Sequence, residues 1–139
     1  MKRVFLDSSV LFTAVNSPIG GSAKLFTLKK IQLITSKVVL AEVERNIHQK
    51  LENYHLKRFF LLASKMEILG PLPDKRLIEK AKKVIVKKDA VILAEAKQAR
   101  ADFLITLDKK HFLTVKAINF LMPKKIFTPK MLFNHLDKE

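Results

Sequence analysis

Short apolar runs alternate along the chain with longer stretches of helical spacing, and this alternation narrows the possible folds further than any other feature. The clear strand candidates are residues 2–6, residues 31–35 and FLITL at 103–107, and weaker ones lie at 68–69, 118–121 and 126–127. Strands that alternate with helices predict an α/β fold with a mostly parallel central sheet. The residues expected to be buried in its core are Val4, Leu6, Ile34, Leu93, Ile105 and Leu107.

Helix signals fill the segments between these runs. Ser36 is expected to cap a helix, because a stripe of apolar residues at helical spacing follows it. Residues 55–66 are dense in leucine and phenylalanine and predict a well-buried helix. Asp74 and Pro129 are expected at the starts of two later helices, since each residue type is common at that position.

Asp7 interrupts an apolar segment, with apolar residues at 4–6 before it and at 10–12 after it. A carboxylate among apolar neighbours is costly to desolvate unless it is paired, hydrogen-bonded or bound to a metal. Asp7 follows the first strand and Asp108 follows FLITL. Because ligands of such sheets gather beyond the carboxyl ends of the strands, the two carboxylates are expected at the same edge of the sheet.

Two further acids are candidates for the same edge. Asp89 heads DAVILAEA, on the helix face expected to be buried, although a helix N-cap is the ordinary role for such a residue. Glu42 and Glu44 lie in the helix after the second strand, and helical geometry does not choose between them; a solvated charge is the ordinary role of either. The four histidines are scattered and there is no cysteine, so carboxylate oxygens for Mg²⁺ or Mn²⁺ are favoured over a zinc site.

The chain carries 27 Lys and Arg against 13 Asp and Glu, a formal net charge of +14. Basic surfaces bind phosphate backbones through counterion release, which favours a nucleic acid partner. A lysine-rich proteome that spreads solvated charge over every face would give the same total. No segment approaches the roughly 20 apolar residues of a membrane span, and no secretory signal is apparent. A soluble, cytoplasmic protein without a membrane partner is expected.

Four short blocks together resemble the PIN-domain family, which comprises metal-dependent ribonucleases and includes the toxins of type II toxin–antitoxin pairs. The blocks are VFLDSSVL at 4–11, TSKVVLAEV at 35–43, KDAVILAEA at 88–96 and ADFLITLDKKHF at 101–112. The resemblance covers nearly the whole chain. It implies one PIN-like domain over residues 1–139, with three layers: a parallel sheet ordered 3-2-1-4-5 and helices on both of its faces.

The resemblance also implies a set of site residues. One acid from each block would serve catalysis: Asp7, Glu42, Asp89 and Asp108. Glu42 is preferred to Glu44 because the family's usual pattern places its glutamate six residues after a serine, here Ser36. The ligands of Mg²⁺ or Mn²⁺ would be Asp7, Asp89 and Asp108, and the substrate-binding residues would be Ser9, Thr106, Lys109 and Lys110. Asp102 also matches a common acid, but it precedes its strand and is expected at the far edge of the sheet.

The implied partners are RNA, a cognate antitoxin protein and a second copy of the chain in a homodimer. Two alternatives within the family remain open, an RNA-processing nuclease without a toxin role and a catalytically silent RNA-binding scaffold. Two alternatives outside it are disfavoured. Phosphotransferases of the haloacid-dehalogenase type carry a second aspartate where Ser9 stands, and a phospho-receiver domain needs an acidic pair that is lacking before a strand-end phosphoacceptor.

Overall fold

Five parallel strands form one sheet in the order β3-β2-β1-β4-β5 in the computed structural model, which describes residues 1–138. The strands are β1 (Lys2–Leu6), β2 (Ile31–Ser36), β3 (Glu67–Leu69), β4 (Phe103–Ile105) and β5 (Lys125–Phe127). Every neighbouring pair in the sheet is parallel, including β1 with β2 and β1 with β4. The predicted α/β class, parallel sheet and strand order are therefore confirmed.

Helices connect the strands and cover both faces of the sheet. They are α1 (Ser8–Asn16), α2 (Gly21–Lys24), α3 (Lys37–Lys50), α4 (His55–Ser64), α5 (Lys75–Lys82), α6 (Lys87–Gln98), α7 (Lys109–Phe112), α8 (Val115–Leu121) and α9 (Pro129–Asp137), with a 3-10 turn at Leu25–Thr27. The three expected helix starts are confirmed. Ser36 accepts a hydrogen bond from the Val39 N–H, Asp74 accepts one from the Arg76 N–H, and Pro129 is the first residue of α9.

The central strand β1 explains why both faces of the sheet are covered. Val4, Phe5 and Leu6 are consecutive and all fully buried. Successive side chains of a strand point to opposite faces, so apolar partners must lie on each side. The expected burial of Val4, Leu6, Ile34, Leu93 and Ile105 is confirmed. No helix within residues 1–138 is long and apolar enough to cross a membrane.

The prediction that Leu107 is buried is wrong, since its side chain is 42% exposed. The apolar run FLITL predicts strand throughout, but β4 ends at Ile105. The Thr106 N–H still bonds to the Phe127 carbonyl of β5, whereas the Leu107 N–H bonds to the Ser9 hydroxyl instead. The chain leaves the sheet at that point, and the Leu107 side chain turns towards solvent.

Two other local predictions are corrected. Residues 118–121 are not a strand but the second half of α8, because Thr114 caps this helix by accepting a hydrogen bond from the Ala117 N–H. A short apolar run does not distinguish strand from helix by its periodicity alone. The helix expected at 55–66 ends at Ser64 and is only half buried: Phe60 is 58% exposed, while Phe59 is buried. α4 packs by one face, so its leucines and phenylalanines divide between core and surface.

Candidate metal centre

Asp7 lies directly after β1 and caps α1. Its side chain is buried and accepts hydrogen bonds at both oxygens. Oδ1 accepts from the Ser8 N–H at 2.7 Å, and Oδ2 accepts from the Ser9 hydroxyl at 2.8 Å and from the Thr106 hydroxyl at 2.9 Å. Burial raises the pKa of Asp7, these hydrogen bonds oppose the rise, and the charge of Glu42 adds to it.

Asp108 lies two residues beyond Thr106 and caps the short helix α7. The Asp108 N–H donates to the Thr106 hydroxyl oxygen at 2.9 Å, which fixes the turn after β4. The Asp108 carboxylate accepts from the His111 N–H at 3.2 Å and lies 2.8 Å from the His111 Nδ1. Partial burial works to raise the pKa of Asp108, but these contacts with His111 outweigh it, and the pKa lies below its usual value.

Asp89 lies in the first turn of α6, and Val86, not Asp89, occupies the capping position. Asp89 is 5% exposed, and its Oδ2 has no hydrogen-bond partner within the described residues. Burial raises the pKa of Asp89 to about 6; the charge of Lys88 opposes the rise, and the charges of Asp7 and Asp108 add to it. A buried carboxylate oxygen without a donor is costly, and a bound cation would remove the cost.

Glu42 and Glu44 lie in α3, where the structure places only Glu42 beside the other acids. Glu42 is partly buried and lines an open cleft of about 370 Å³ together with Asp7, Asp89 and Asp108. Glu44 is exposed and lies 3.7 Å from His48, one turn further along α3. Four carboxylates from four separate parts of the sequence thus meet at the carboxyl edge of β1 and β4.

The polar and basic residues predicted for substrate binding separate into two groups. Ser9 and Thr106 contact Asp7 directly. Lys109 and Lys110 are exposed at the start of α7, and neither is among the residues that line the acidic cleft. The cations that line it are Lys50, at the end of α3, and Lys88, in the first turn of α6. Proximity in sequence to Asp108 favours the first pair of lysines, whereas the fold brings the second pair to the cleft.

Three further residues lie beside the acids, although they are not among the site residues predicted from the sequence. Phe12 and Asn46 line the cleft, and His111 contacts Asp108. Phe12 and Asn46 can be assigned to the site only once the fold is known. In the sequence, Phe12 looks like a core residue. His111 is detectable as the residue three positions after Asp108, a spacing that brings side chains together on a helix.

Asp102 lies at the opposite edge of the sheet from the cleft, as expected. Its carboxylate accepts a hydrogen bond from the Arg3 N–H at 2.8 Å, at the start of β1. Arg3 also pairs with Glu67 through two hydrogen bonds, of 2.8 and 2.9 Å. Asp102 and Glu67 therefore connect the amino ends of the strands through Arg3, and neither lines the cleft.

One more buried acid lies away from the cleft. Glu95, in α6, is 4% exposed, and its carboxylate accepts a hydrogen bond of 2.7 Å from the Ser36 hydroxyl. Burial raises the pKa of Glu95, and the bond from Ser36 only partly opposes the rise. Ser36 also caps α3, so this pair connects α6 to the start of the helix that carries Glu42.

The donor set of the cleft fits a divalent cation. Asp89, Asp108 and His111 each offer a ligand atom, and the three atoms lie within 4.8 Å of one another. The Asp89 Oδ2, which lacks a hydrogen-bond partner in the part of the chain that the structure describes, lies 3.9 Å from the His111 Nδ1. Carboxylate oxygens are the ligands that Mg²⁺ and Mn²⁺ prefer, and crowded carboxylates repel one another unless a cation lies between them.

Comparison with known proteins gives a family and a fold. A sequence model of the PIN domain matches residues 4–117. No curated protein sequence matches the chain significantly. Similar solved structures include VapBC2 from Rickettsia felis, bound to a DNA fragment from its promoter, with TM-score 0.68 and 18% identity over 90% of this chain and 96% of that one.

Two further structures have the same fold at similar identity. VapBC-1 from nontypeable Haemophilus influenzae has TM-score 0.61 and 16% identity, and the match covers 92% of this chain and 98% of that one. VapC20 from Mycobacterium tuberculosis, described as a toxin that cleaves the sarcin-ricin loop, has TM-score 0.60 and 16% identity over 77% of this chain and 91% of that one. At these identities the similarity establishes the fold but not the substrate or the partner.

Proposed function

The chain belongs to the PIN-domain family, and from that premise we propose that it is a metal-dependent endoribonuclease. The observation that carries the proposal is the buried Asp89 Oδ2, which has no hydrogen-bond partner within residues 1–138 and lies at a cleft that Asp89 shares with Asp7, Glu42 and Asp108. A structural role does not account for four acids at one sheet edge, where their negative charges repel one another. A cation-binding site does account for them.

Each acid has a part in the proposed reaction. Asp7, Asp89 and Asp108 would hold Mg²⁺ or Mn²⁺, and Ser9 and Thr106 would keep the Asp7 carboxylate in a fixed orientation. When bound, the cation supplies a Lewis acid that activates water and neutralises charge developing on the phosphate. Glu42, on the α3 wall of the cleft, would orient the attacking water by accepting a hydrogen bond from it.

The proposed substrate is RNA with a single-stranded target segment. Lys50 and Lys88 line the cleft and can pair with phosphates on either side of the scissile bond. Phe12 offers a partly exposed ring at the same wall, with the Lys50 Nζ 5.9 Å from its centre. An aromatic ring beside a cation is a common platform for an unstacked base. The predicted Lys109 and Lys110, exposed beside Asp108, would contact the backbone further along the strand.

We further propose a toxin role with a cognate antitoxin. The support is the similarity of most of the chain to VapBC and VapC structures, and the net charge of +14 suits an acidic protein partner as well as RNA. A homodimer is proposed only from the resemblance to family toxins, which often dimerise. An RNA-processing nuclease without a toxin role would have the same cleft, and growth arrest on expression without an antitoxin separates the two. A catalytically silent scaffold is disfavoured because all four acids are present.

The test is a cleavage assay with purified protein on RNA and DNA oligonucleotides of the same sequence. The expected result is cleavage of RNA with Mg²⁺ or Mn²⁺, none with EDTA, and recovery when the cation is restored in excess. Cleavage that persists in EDTA, or cleavage of DNA alone, would contradict the proposal. A duplex RNA of the same sequence serves as the control for the single-stranded preference.

A further inference from the structure

His111 contributes a nitrogen atom to the group of acids that faces the cleft. Its ring Nδ1 lies 2.8 Å from Asp108 Oδ2 and 3.9 Å from Asp89 Oδ2. His111 belongs to α7, the same short helix that Asp108 caps, so one helical turn places both side chains on the same side. His111 does not itself line the cleft, but it lies directly behind two acids that do, Asp89 and Asp108.

The hydrogen bond between His111 Nδ1 and Asp108 does not explain how the neighbouring Asp89 carboxylate is stabilised. Asp89 is 5% exposed, and its Oδ2 has no hydrogen-bond donor within residues 1–138. The His111 Nδ1 faces this oxygen at a distance too long for a hydrogen bond. A proton on the His111 Nδ1 satisfies Asp108 but leaves the Asp89 Oδ2 without a partner, whereas a divalent cation accepts lone pairs from all three groups.

The two separations from the His111 Nδ1 agree with ligands of one ion. With ion–ligand distances of about 2.1 Å, two ligands at a right angle lie about 3 Å apart, and ligands further round the ion lie up to about 4 Å apart. The two distances from His111 Nδ1, 2.8 and 3.9 Å, fall in this range.

We propose that His111 is a direct nitrogen ligand of the divalent cation, beside Asp89 and Asp108, and that the centre therefore selects a nitrogen-binding transition ion over Mg²⁺. This inference rests on the proposed metal-dependent function and specifies its cation. Mg²⁺ is bound in proteins by oxygen atoms and gives up its water reluctantly, whereas imidazole strengthens binding of first-row transition ions. Mn²⁺ accepts both carboxylate and imidazole and is the probe of choice.

The test is pulsed electron paramagnetic resonance of the protein loaded with one equivalent of Mn²⁺, in the absence of RNA. A coordinated imidazole gives a strong ¹⁴N modulation of the echo, and a site made only of oxygen atoms does not. The wild-type protein is expected to show the modulation, His111→Gln to lose it, and His48→Gln to keep it. His48 is the matched control because it is an exposed histidine beside Glu44, outside the cleft.

Affinity measurements provide a second readout that distinguishes a ligand from a residue that only positions Asp108. His111→Gln is expected to lower Mn²⁺ affinity at least about tenfold and Mg²⁺ affinity by a smaller factor, so that the ratio of the two falls. An equal loss for both ions, with no ¹⁴N modulation in the wild type, would overturn the assignment. If the wild type cleaves RNA and shows no modulation, His111 is not a ligand and the proposed function stands. If it binds neither Mn²⁺ nor Mg²⁺, both are overturned.

Discussion

The Thr106 hydroxyl donates a hydrogen bond of 2.9 Å to the Asp7 carboxylate, across 99 residues of sequence. The same hydroxyl oxygen accepts the Asp108 N–H at 2.9 Å. One side chain therefore connects the end of β1, the end of β4 and the start of α7, and it sets the positions of two acids at once. The Asp7 N–H adds a backbone bond of 2.9 Å to the Ile105 carbonyl.

Replacing Thr106 by valine keeps the shape of the side chain and removes the hydroxyl. The Asp7 carboxylate then loses a donor and the Asp108 N–H loses its acceptor, so the free energy of unfolding should fall by about 1–3 kcal/mol. Chemical denaturation measures the change. Thr35→Val is the matched control, because the Thr35 hydroxyl is buried without a partner within the described residues. That variant should lose less than about 1 kcal/mol or become more stable; equal losses for the two would contradict this role of Thr106.

Replacing Asp89 by asparagine should change how a cation affects stability. The pKa of Asp89 is raised from 3.8 to about 6, so the free-energy cost of its ionisation develops as pH rises through that interval and reaches roughly 3 kcal/mol at neutral pH. Without a cation, Asp89→Asn should therefore be more stable than wild type at neutral pH and similar to it in acid below the ordinary pKa of 3.8.

The same variant should respond weakly to Mn²⁺. A cation that binds only the folded protein stabilises it by about 2.7 kcal/mol at about 100 times its dissociation constant. Thermal unfolding with EDTA and with excess Mn²⁺ should show this gain for wild type and little of it for Asp89→Asn. An identical gain in both proteins would place the cation elsewhere.

Glu95 provides a test of pH dependence outside the cleft. Its pKa lies above the ordinary 4.5 because it is buried, so its contribution to stability is fully present below about that pH and is lost as pH rises through the higher pKa of the folded state. Glu95→Gln keeps the acceptor for the Ser36 hydroxyl and removes the ionisation. The variant should match wild type in acid and exceed it at neutral pH in urea denaturation. A constant difference at every pH would show that burial of the Glu95 charge does not cause the pH dependence.

Glu42 and Glu44 form a matched pair on one helix. Glu42 lines the cleft, whereas Glu44 is exposed beside His48. Glu42→Gln should reduce the cleavage rate by a factor of about one hundred or more, the usual contribution of a group that orients or deprotonates water. Glu44→Gln should leave the rate unchanged. Single-turnover rates on one RNA measure both, and a larger loss for Glu44→Gln would reverse the assignment.

The fold was predictable because its signals are local. The apolar run that ends at Asp7 has the length of a strand, and Ser36, Asp74 and Pro129 are residue types that begin helices. The exposure of Leu107 was not predictable, because an apolar run does not show where the chain leaves the sheet. Just beyond the end of β4, the Leu107 N–H donates to the Ser9 hydroxyl of α1 and not to a strand.

The site was predictable only in part. Asp7 and Asp108 follow strands, but the residues that surround them in space come from distant segments. Lys50 reaches the cleft from the end of α3, which no spacing in the sequence reveals, whereas Lys88 directly precedes Asp89. The bond between Ser36 and Glu95 joins residues 59 positions apart. His111 is the exception, because its spacing from Asp108 is readable, yet a lone histidine on a short polar segment suggests no role by itself.

The central claim, that the acid cluster performs metal-dependent RNA cleavage, is tested most directly by comparing Asp7→Asn with Asp102→Asn. Asparagine at position 7 can still bond to the hydroxyls of Ser9 and Thr106, so the fold should persist while a full ligand charge is lost. Asp102 lies at the opposite edge of the sheet and serves as the control.

The measurement is the single-turnover cleavage rate of one RNA with saturating Mn²⁺, on variants whose circular dichroism spectra match that of the wild type. We expect Asp7→Asn to lose at least about a thousandfold in rate and Asp102→Asn to cleave like wild type. A wild-type rate for Asp7→Asn, with Mn²⁺ still required, would contradict the account.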